Sequence, residues 1–392
     1  MKLIHTADWQ IGKPFARVTD PYKRALMQKA RVDAIAVIAA TARKESASFV
    51  LVAGDLFDSP SADKNTVSEA CSAIGQIQVP VYAIPGNHDH GGAGCLWDQE
   101  FFSREHSALA PNLRVLLEAT PLELDDAVLF PCPLLWRSES GDRTEWLRSS
   151  DVLQGVSATK PRILLAHGST QDFSAVEDDE ELGSTALNRI DIAQLPLAEI
   201  DYIALGDWHG TKQIAPKAWY AGTPEIDRFP KGEGQQPGHI LVVEPRRGEL
   251  PQVSKVFTSS LKWSEISFDF ADDKGMSRFS SQLTEHVGQR TNEDLLRLSL
   301  RGSLGIVASN ELEQLLVSLR ARLLRLMLDN LTLVAPSEAE LEALTRQTSA
   351  PLVAVVAENL AKKAGATGDS EAEIAAIALR ELYAVFMKET GA

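Results

Sequence analysis

The sequence predicts an α/β protein of more than one domain, and three observations carry that expectation. Short aliphatic and β-branched runs alternate with longer helical stretches over the first 205 residues, the pattern of buried strands with helices between them. Each run ends abruptly in Gly or a polar residue. Near residue 264 the texture changes to a second, smaller alternation, and 392 residues suffice for two or three cores.

Taken in order, Lys2 to Thr6, Phe49 to Ala53, Val79 to Ile84, Arg162 to Ala166 and Asp201 to Leu205 read as buried strands, with Tyr22 to Ser46 as a helix. Trp219 to Ala221, His239 to Val243, Val253 to Phe257 and Trp263 to Phe268 read as further strands, and Pro237-Gly238 as a turn. A first domain over 1–262 is expected, followed by a small α/β domain over 263–335. In the latter, Leu296, Leu298 and Leu300 alternate against Arg297, Ser299 and Arg301, as a strand with one buried face does. Residues 336–392 read as a linker and a helix pair, Pro351 to Lys363 and Ser370 to Glu389, separated by Gly365 to Asp369. Ile374, Ile377, Leu382, Val385 and Phe386 fall on one stripe of the last helix, which two helices cannot bury alone. It is expected to pack on the body or on a partner.

Composition narrows the function classes. Apolar residues are 44% of the chain, with 25 Gly and 19 Pro, which excludes a disordered or collagen-like protein. Lys and Arg number 39 against 54 Asp and Glu, a formal net charge of −15, so nucleic acid is not gripped by overall charge; a local basic stripe or bound metal ions remain open. No apolar run approaches the roughly 18 residues of a membrane span, and the N-terminus meets charge too soon for a signal peptide, so a cytoplasmic protein with no membrane partner is expected. Cys71, Cys95 and Cys132 are odd in number and far apart, and read as reduced packing residues.

The chemistry concentrates in five clusters at strand ends. They are Asp8-Trp9-Gln10, Gly54-Asp55-Leu56-Phe57-Asp58, Gly86-Asn87-His88-Asp89, Ala166-His167-Gly168 and Gly206-Asp207-Trp208-His209. Asp55 and Asn87 each follow a Gly after a buried strand, which places them at the carboxyl edge of a sheet, where open α/β folds bind ligands. Oxygen and imidazole ligands on one edge are what two divalent cations need for phosphoryl chemistry: a shared carboxylate between ions about 3.5–4 Å apart, and an activated water.

These clusters resemble the pattern of the calcineurin-like metallophosphoesterase superfamily, Asp-x-His, Gly-Asp-x-x-Asp, Gly-Asn-His-Asp/Glu, His and Gly-His-x-His. Within it the chain is most similar to SbcD-type DNA-repair nucleases, through His-Thr-Ala-Asp-Trp at 5–9, Gly-Asp-Leu-Phe-Asp at 54–58, Pro-Gly-Asn-His-Asp at 85–89, Ala-Leu-Gly at 204–206 and Tyr-Ala-Gly-Thr-Pro-Glu at 220–225. The motifs span roughly residues 1–260. The resemblance implies a four-layer αββα sandwich with a capping domain, two manganese-type ions, and a nuclease acting on DNA beside an SbcC-like ABC ATPase that docks on the C-terminal helices. A homodimer stays open.

Carried over by position, the resemblance gives one ion Asp8, Gln10, Asp55 and His209, and the other Asp55, Asn87, His167 and Asp207. Asp55 is then the bridge and a metal-activated hydroxide attacks phosphorus. His88 serves the leaving oxygen, and Asp58 orients the His88 ring. Gln10 stands where the family has His, and Asp207 where Gly-His-x-His has its first His; both offer oxygen to a metal.

Other residues read more simply. His5, His106, His239 and His286 are expected to be structural or on the surface, His90 is placed to touch a phosphate, the acidic run Glu177 to Glu181 is a solvated loop, and Arg246-Arg247 reads as a solvated hairpin tip, with a phosphate contact as the alternative. Two competing readings remain: a scaffold that keeps the fold while its metal site decays, and a small-substrate phosphodiesterase. The survival of His88 and Asp58 beside the ligands weighs against the first, and the extra C-terminal elements against the second.

Overall fold

The computed structural model describes residues 1–170, 187–229, 236–288, 290–334, 342, 351–364 and 371–390. The acidic run 177–181, the linker after Pro336 and the segment 365–370 lie outside the described residues. The chain divides into two compact units, Met1–Leu261 and Lys262–Ala392.

In the first unit the chain runs β1 (Leu3–Thr6), α1 (Pro21–Glu45), β2 (Phe49–Ala53), α2 (Lys64–Ile74), β3 (Val81–Ile84), α3 (Glu100–Leu109), β4 (Leu113–Val115), β5 (Leu122–Glu123), β6 (Val128–Cys132), α4 (Ser150–Gln154) and β7 (Arg162–His167). It continues through β8 (Ser169–Thr170), β9 (Arg189–Ile190), β10 (Tyr202–Gly206), β11 (Lys212–Ala215), β12 (Ala218–Tyr220), β13 (His239–Glu244) and β14 (Gln252–Phe257). Helix α1 starts where Asp20 caps it, its carboxylate accepting from the backbone N–H of Tyr22 and Lys23 with Pro21 in the first turn; it ends at Ser46, whose φ is 52°.

Two six-stranded sheets form, in the orders β14-β13-β1-β2-β3-β4 and β11-β12-β10-β7-β6-β5. The neighbours β1-β2, β2-β3, β6-β7 and β7-β10 are all parallel, so their carboxyl ends share an edge within each sheet. Leu3, Leu51, Ala53 and Ile84 of the first sheet pack directly on Leu129, Ile163, Leu165 and Tyr202 of the second. The opposite face of the first sheet buries Ile4, Val50 and Val52 under Ile35 and Ile38 of α1 and Val67 and Ile74 of α2. The outer face of the second sheet, Phe130, Leu164 and Ile203, is covered by Leu147, Leu195 and Ile200 from short turns. Helices and two parallel-rich sheets make this a mixed α/β fold.

Strand β6 was hidden by Pro131, which has no N–H for a ladder. It is tolerated because β5 pairs only Leu122 with Leu129 and Glu123 with Val128, so Pro131 lies past the end of that neighbour. Arg247 corrects the expected solvated hairpin tip: it lies 2.7 Å from Glu199 and 3.3 Å from Asp201. The three cysteines are free and buried.

The second unit holds β15 (Lys262–Phe270), α5 (Gly275–His286), β16 (Asp294–Leu304), α6 (Ile306–Arg322), β17 (Arg325–Asn330), β18 (Leu333–Val334), α7 (Pro351–Ala364) and α8 (Ala372–Thr390). Strands β15, β16 and β17 are parallel, with Phe279 and Leu283 of α5 and Leu312, Leu316 and Leu319 of α6 on Leu296, Leu298 and Leu300. Helices α7 and α8 close around Ala357, Leu379 and Tyr383 against Ile306. Of the stripe expected to pack on the body or on a partner, Ile374 is 67% exposed, Ile377 47% and Val385 59%, while Leu382 and Phe386 are partly buried. No helix among the described residues is long and apolar enough to cross a membrane.

Candidate metal centre

The five clusters meet at the carboxyl edges of β1, β2, β3, β7 and β10. Asp8 donates its N–H to the Gly54 carbonyl at 3.1 Å, Gln10 to Asp55 at 2.8 Å and Ile11 to Leu56 at 2.9 Å, so the loops after β1 and β2 run as a zipper. Asp207 N–H reaches back to the Asp8 carboxylate at 3.1 Å, which ties in the loop after β10.

Both predicted glycines are required here, for different reasons. Gly54 has φ +90°, and a Cβ on it would stand 2.2 Å from His167 Nδ1. Gly86 is instead a close approach, since its Cβ would meet Asp55 Oδ1 at 2.1 Å. Four of the expected ligands themselves adopt left-handed backbone, Asp8 at φ 54°, Gln10 at 41°, Asp55 at 54° and Asp207 at 104°. Such conformations cost roughly 1–3 kcal/mol each and persist where the surroundings over-determine them, as at functional sites.

The arrangement on one side fits a divalent ion. His167 Nδ1 lies 2.8 Å from the Ala53 carbonyl, so it carries the proton and leaves Nε2 toward the centre. That nitrogen is 2.9 Å from Asn87 Oδ1, 3.6 Å from Asp55 Oδ1 and 3.8 Å from Asp207 Oδ1. Adjacent ligands of an octahedral ion bound at about 2.1 Å stand about 3.0 Å apart, so the imidazole and amide oxygen are already spaced as neighbours on one ion. Ser169 Oγ holds Asp207 Oδ2 at 2.7 Å. Asp8, Asp55 and His167, all buried, bring ligand atoms within 4.8 Å of one another.

Electrostatics agree with that geometry. Burial pushes the Asp8 carboxyl up to about 8, with His167 opposing and Asp55 and Asp207 adding to the rise. Burial disfavours charge on His167, yet Asp55, Asp8 and Asp207 outweigh it and lift the imidazole to about 9. Protons gather where negative charge is short of a partner, and a divalent cation neutralises the same charge.

The other expected ligands have different partners. Gln10 Oε1 accepts from Lys13 Nζ at 2.7 Å. His209 Nδ1 is 3.0 Å from Asp227 Oδ2 and 3.3 Å from an Arg228 nitrogen. Asp227, with no side-chain exposure, also binds Lys13 at 3.1 Å. Its carboxyl is held well below the usual range: burial opposes ionisation, and His209, Lys13 and Arg228 overcome it. Buried Arg31 braces this side, donating to the carbonyls of Trp9 at 2.6 Å, Asp8 at 2.8 Å and Glu225 at 3.2 Å.

His88 donates its backbone N–H to Asp55 Oδ1 at 2.9 Å, and its ring Nδ1 lies 2.9 Å from the Asp58 main-chain carbonyl. Asp89 is fully buried and accepts from Gly86 N–H at 2.7 Å and Phe57 N–H at 3.0 Å, stapling the loops after β2 and β3. The His90 ring lies 6.1 Å from that of Trp136, and its buried Nδ1 has no hydrogen-bond partner among the described residues. Lys13, Arg31, Asp89 and Asp227 were not assigned roles from sequence. The signal available for Asp227 was its place just after Tyr-Ala-Gly-Thr-Pro-Glu at 220–225.

One solved structure aligns with 66% of this chain and 99% of its own length at 10% identity and a TM-score of 0.37, a likeness too weak to place any residue. The family match is of another order: the calcineurin-like phosphoesterase family covers residues 1–231, the stretch that carries both sheets' central strands and every ligand cluster. This chain belongs to the calcineurin-like phosphoesterases, metal-dependent hydrolases of phosphate esters.

Proposed function

We propose that the protein is a metal-dependent phosphodiesterase acting on DNA, in repair, alongside an SMC-like ABC ATPase. The observation that carries the reading is the convergence of Asp55, Asn87 and Asp207 oxygens on His167 Nε2 beside the outward ring of His88. The DNA assignment draws on the SbcD-like phrases of the sequence, and the partner on the apolar residues exposed on α7 and α8, Leu352, Val355, Ile374 and Ile377 among them.

Asp8, Asp55, Asn87, His167 and Asp207 would hold divalent metal, with manganese the best match to an oxygen-rich donor set. The ion, when bound, supplies Lewis acidity and an acidified water. The chain's own groups do the rest. Asp207 is aimed by Ser169 Oγ and Asp8 by the Asp207 N–H, so the carboxylates need no reorganisation when substrate arrives. His88, with Nδ1 fixed on the Asp58 carbonyl, presents Nε2 to give a proton to the departing ester oxygen.

Purified protein incubated with end-labelled linear and hairpin DNA, and in parallel with bis-para-nitrophenyl phosphate, tests the reading in manganese, magnesium, zinc or chelator. Cleavage of both substrate types with manganese and loss in chelator is expected. Turnover of the small diester with DNA untouched would overturn the DNA assignment, and no metal-dependent turnover at all would overturn the enzyme.

A further inference from the structure

Trp136 is the one exposed tryptophan of the seven, 58% exposed where the others are buried or half-buried. The loop that carries it sets it apart from an incidental surface residue. The chain leaves β6 at Cys132, opposite Ala166 and so one residue short of His167. It is then laced to the loop after β3 on both sides of Asn87 and His88: Leu134 N–H donates to the Pro85 carbonyl at 3.3 Å, and Gly91 N–H donates to the Leu134 carbonyl at 2.8 Å. Glu139 Oε1 accepts from the N–H groups of Leu135 at 2.6 Å and Trp136 at 3.0 Å. Asn188 closes the other side. Its Oδ1 accepts from Glu139 N–H at 2.8 Å, its Nδ2 donates to the Arg137 carbonyl at 2.9 Å, and its own carbonyl accepts from Ser169 N–H at 3.0 Å. Trp136 therefore stands on a pinned loop between the segment that carries Asn87 and His88 and the segment that carries His167 and Ser169.

The ring itself is backed. A Cβ on Gly92 would stand 3.2 Å from its Cζ3 and 3.3 Å from its Cε3, so the indole lies against glycine backbone. The ring of His90, in the same loop as His88, flanks it at 6.1 Å, tilted by 37°. Support on one side and solvent on the other leave a rigid aromatic surface that loses little freedom when it is covered. A substrate group that meets it must be flat, apolar-faced and close to the phosphate, and a nucleobase beside the scissile bond is all three. A protein with a net charge of −15 has little long-range attraction for a phosphate backbone, so stacking, which every base offers, supplies grip that charge does not.

Resting on the reading that the substrate is DNA, we propose that Trp136 is a substrate-binding residue whose exposed indole stacks on a base next to the scissile phosphodiester.

Manganese-loaded full-length protein, given oligothymidylate or an abasic oligomer of the same length and charge, provides the test through the ratio of the two kcat/KM values. The unmodified protein should favour the oligomer that has bases by at least about tenfold, the worth of stacking one base. Trp136→Ala should shrink that preference by about fivefold or more, chiefly through KM, and Trp136→Phe should keep most of it. Manganese content and the thermal melt of both variants are expected at the unmodified level. A preference undiminished in Trp136→Ala, or lost as fully in Trp136→Phe, overturns the stacking role while leaving the nuclease in place, and so does a Trp136→Ala protein that loses manganese or melts early, which would make the residue structural. Cleavage of neither oligomer would overturn the DNA reading itself.

Discussion

The ring of His88 is held by the backbone of Asp58, not by its carboxylate: His88 Nδ1 is 2.9 Å from the Asp58 carbonyl oxygen and 3.8 Å from Asp58 Oδ1. A carbonyl accepts only from a protonated Nδ1, which fixes the tautomer and turns Nε2 outward. The Asp58 carboxylate stands equally far from Lys13, at 3.8 Å, and burial raises its own pKa. Orientation of the proton donor thus comes from the loop's path, which Asp58 N–H secures by donating to Ile11 at 3.0 Å.

His88→Ala is expected to retain metal at the unmodified level and to lose about a hundred to ten thousand fold in kcat, the usual cost of one proton-transfer group. Elemental analysis beside turnover of a diester checks it. Metal lost together with activity would make His88 a ligand.

Asp58→Ala should be far milder, within about tenfold in kcat, because the carbonyl that orients His88 survives the substitution. The pH profile should also keep its shape. A defect as deep as that of His88→Ala would return the orienting role to the carboxylate.

The ligand clusters were legible because each follows a strand buried along all or nearly all of its length. Phe49 to Ala53 is apolar throughout, so Gly54-Asp55 stands out at its end. Lys13 and Asp227 gave no such signal: both lie in irregular loops, one after Gly12 and the other after β12, and they meet directly at 3.1 Å across more than 200 residues of sequence. On helix α8 the inward positions Ala375, Leu379 and Tyr383 gave no signal, because the helix is apolar on more than one side and periodicity alone does not fix its phase.

Asp89 is predicted to be structural. Asp89→Ala would strand two buried N–H groups, those of Gly86 and Phe57, at about 1–3 kcal/mol each. Denaturant unfolding should show a loss of about 2–5 kcal/mol for Asp89→Ala and less for Asp89→Asn, which keeps one acceptor. An unchanged midpoint in both would remove Asp89 from the loop staple.

His5 predicts the acid limb of stability. It is fully buried in β1 with Nδ1 2.8 Å from the Tyr202 hydroxyl, and burial lowers its pKa to about 3. An unfolded chain takes a proton on His5 near 6.5, so between those values it binds more protons than the folded one, and stability falls as pH drops through that window. Lowering pH from 7 to 5 should cost the unmodified protein about 2 kcal/mol more than His5→Gln. Parallel pH dependences for the two proteins would show that His5 is not buried neutral.

The last prediction separates the two faces of the C-terminal helix pair. Ala357, Leu379 and Tyr383 close its inner face with Ile306, whereas Ile377 and Val385 are 47% and 59% exposed. Every ligand cluster lies in Met1–Leu261, and the helix pair in Lys262–Ala392. Ile377→Asp with Val385→Asp is expected to leave the melting temperature unchanged and small-diester turnover within about twofold of the unmodified protein, since every ligand cluster belongs to the other compact unit. Association with the proposed ATPase should weaken by more than tenfold, about 1.4 kcal/mol. Leu379→Asp, by contrast, buries a charge in the inner face and should unfold the pair. Were the two exposed substitutions to lower the melting temperature as Leu379→Asp does, that face would belong to the protein's own core; undiminished association would place the ATPase elsewhere.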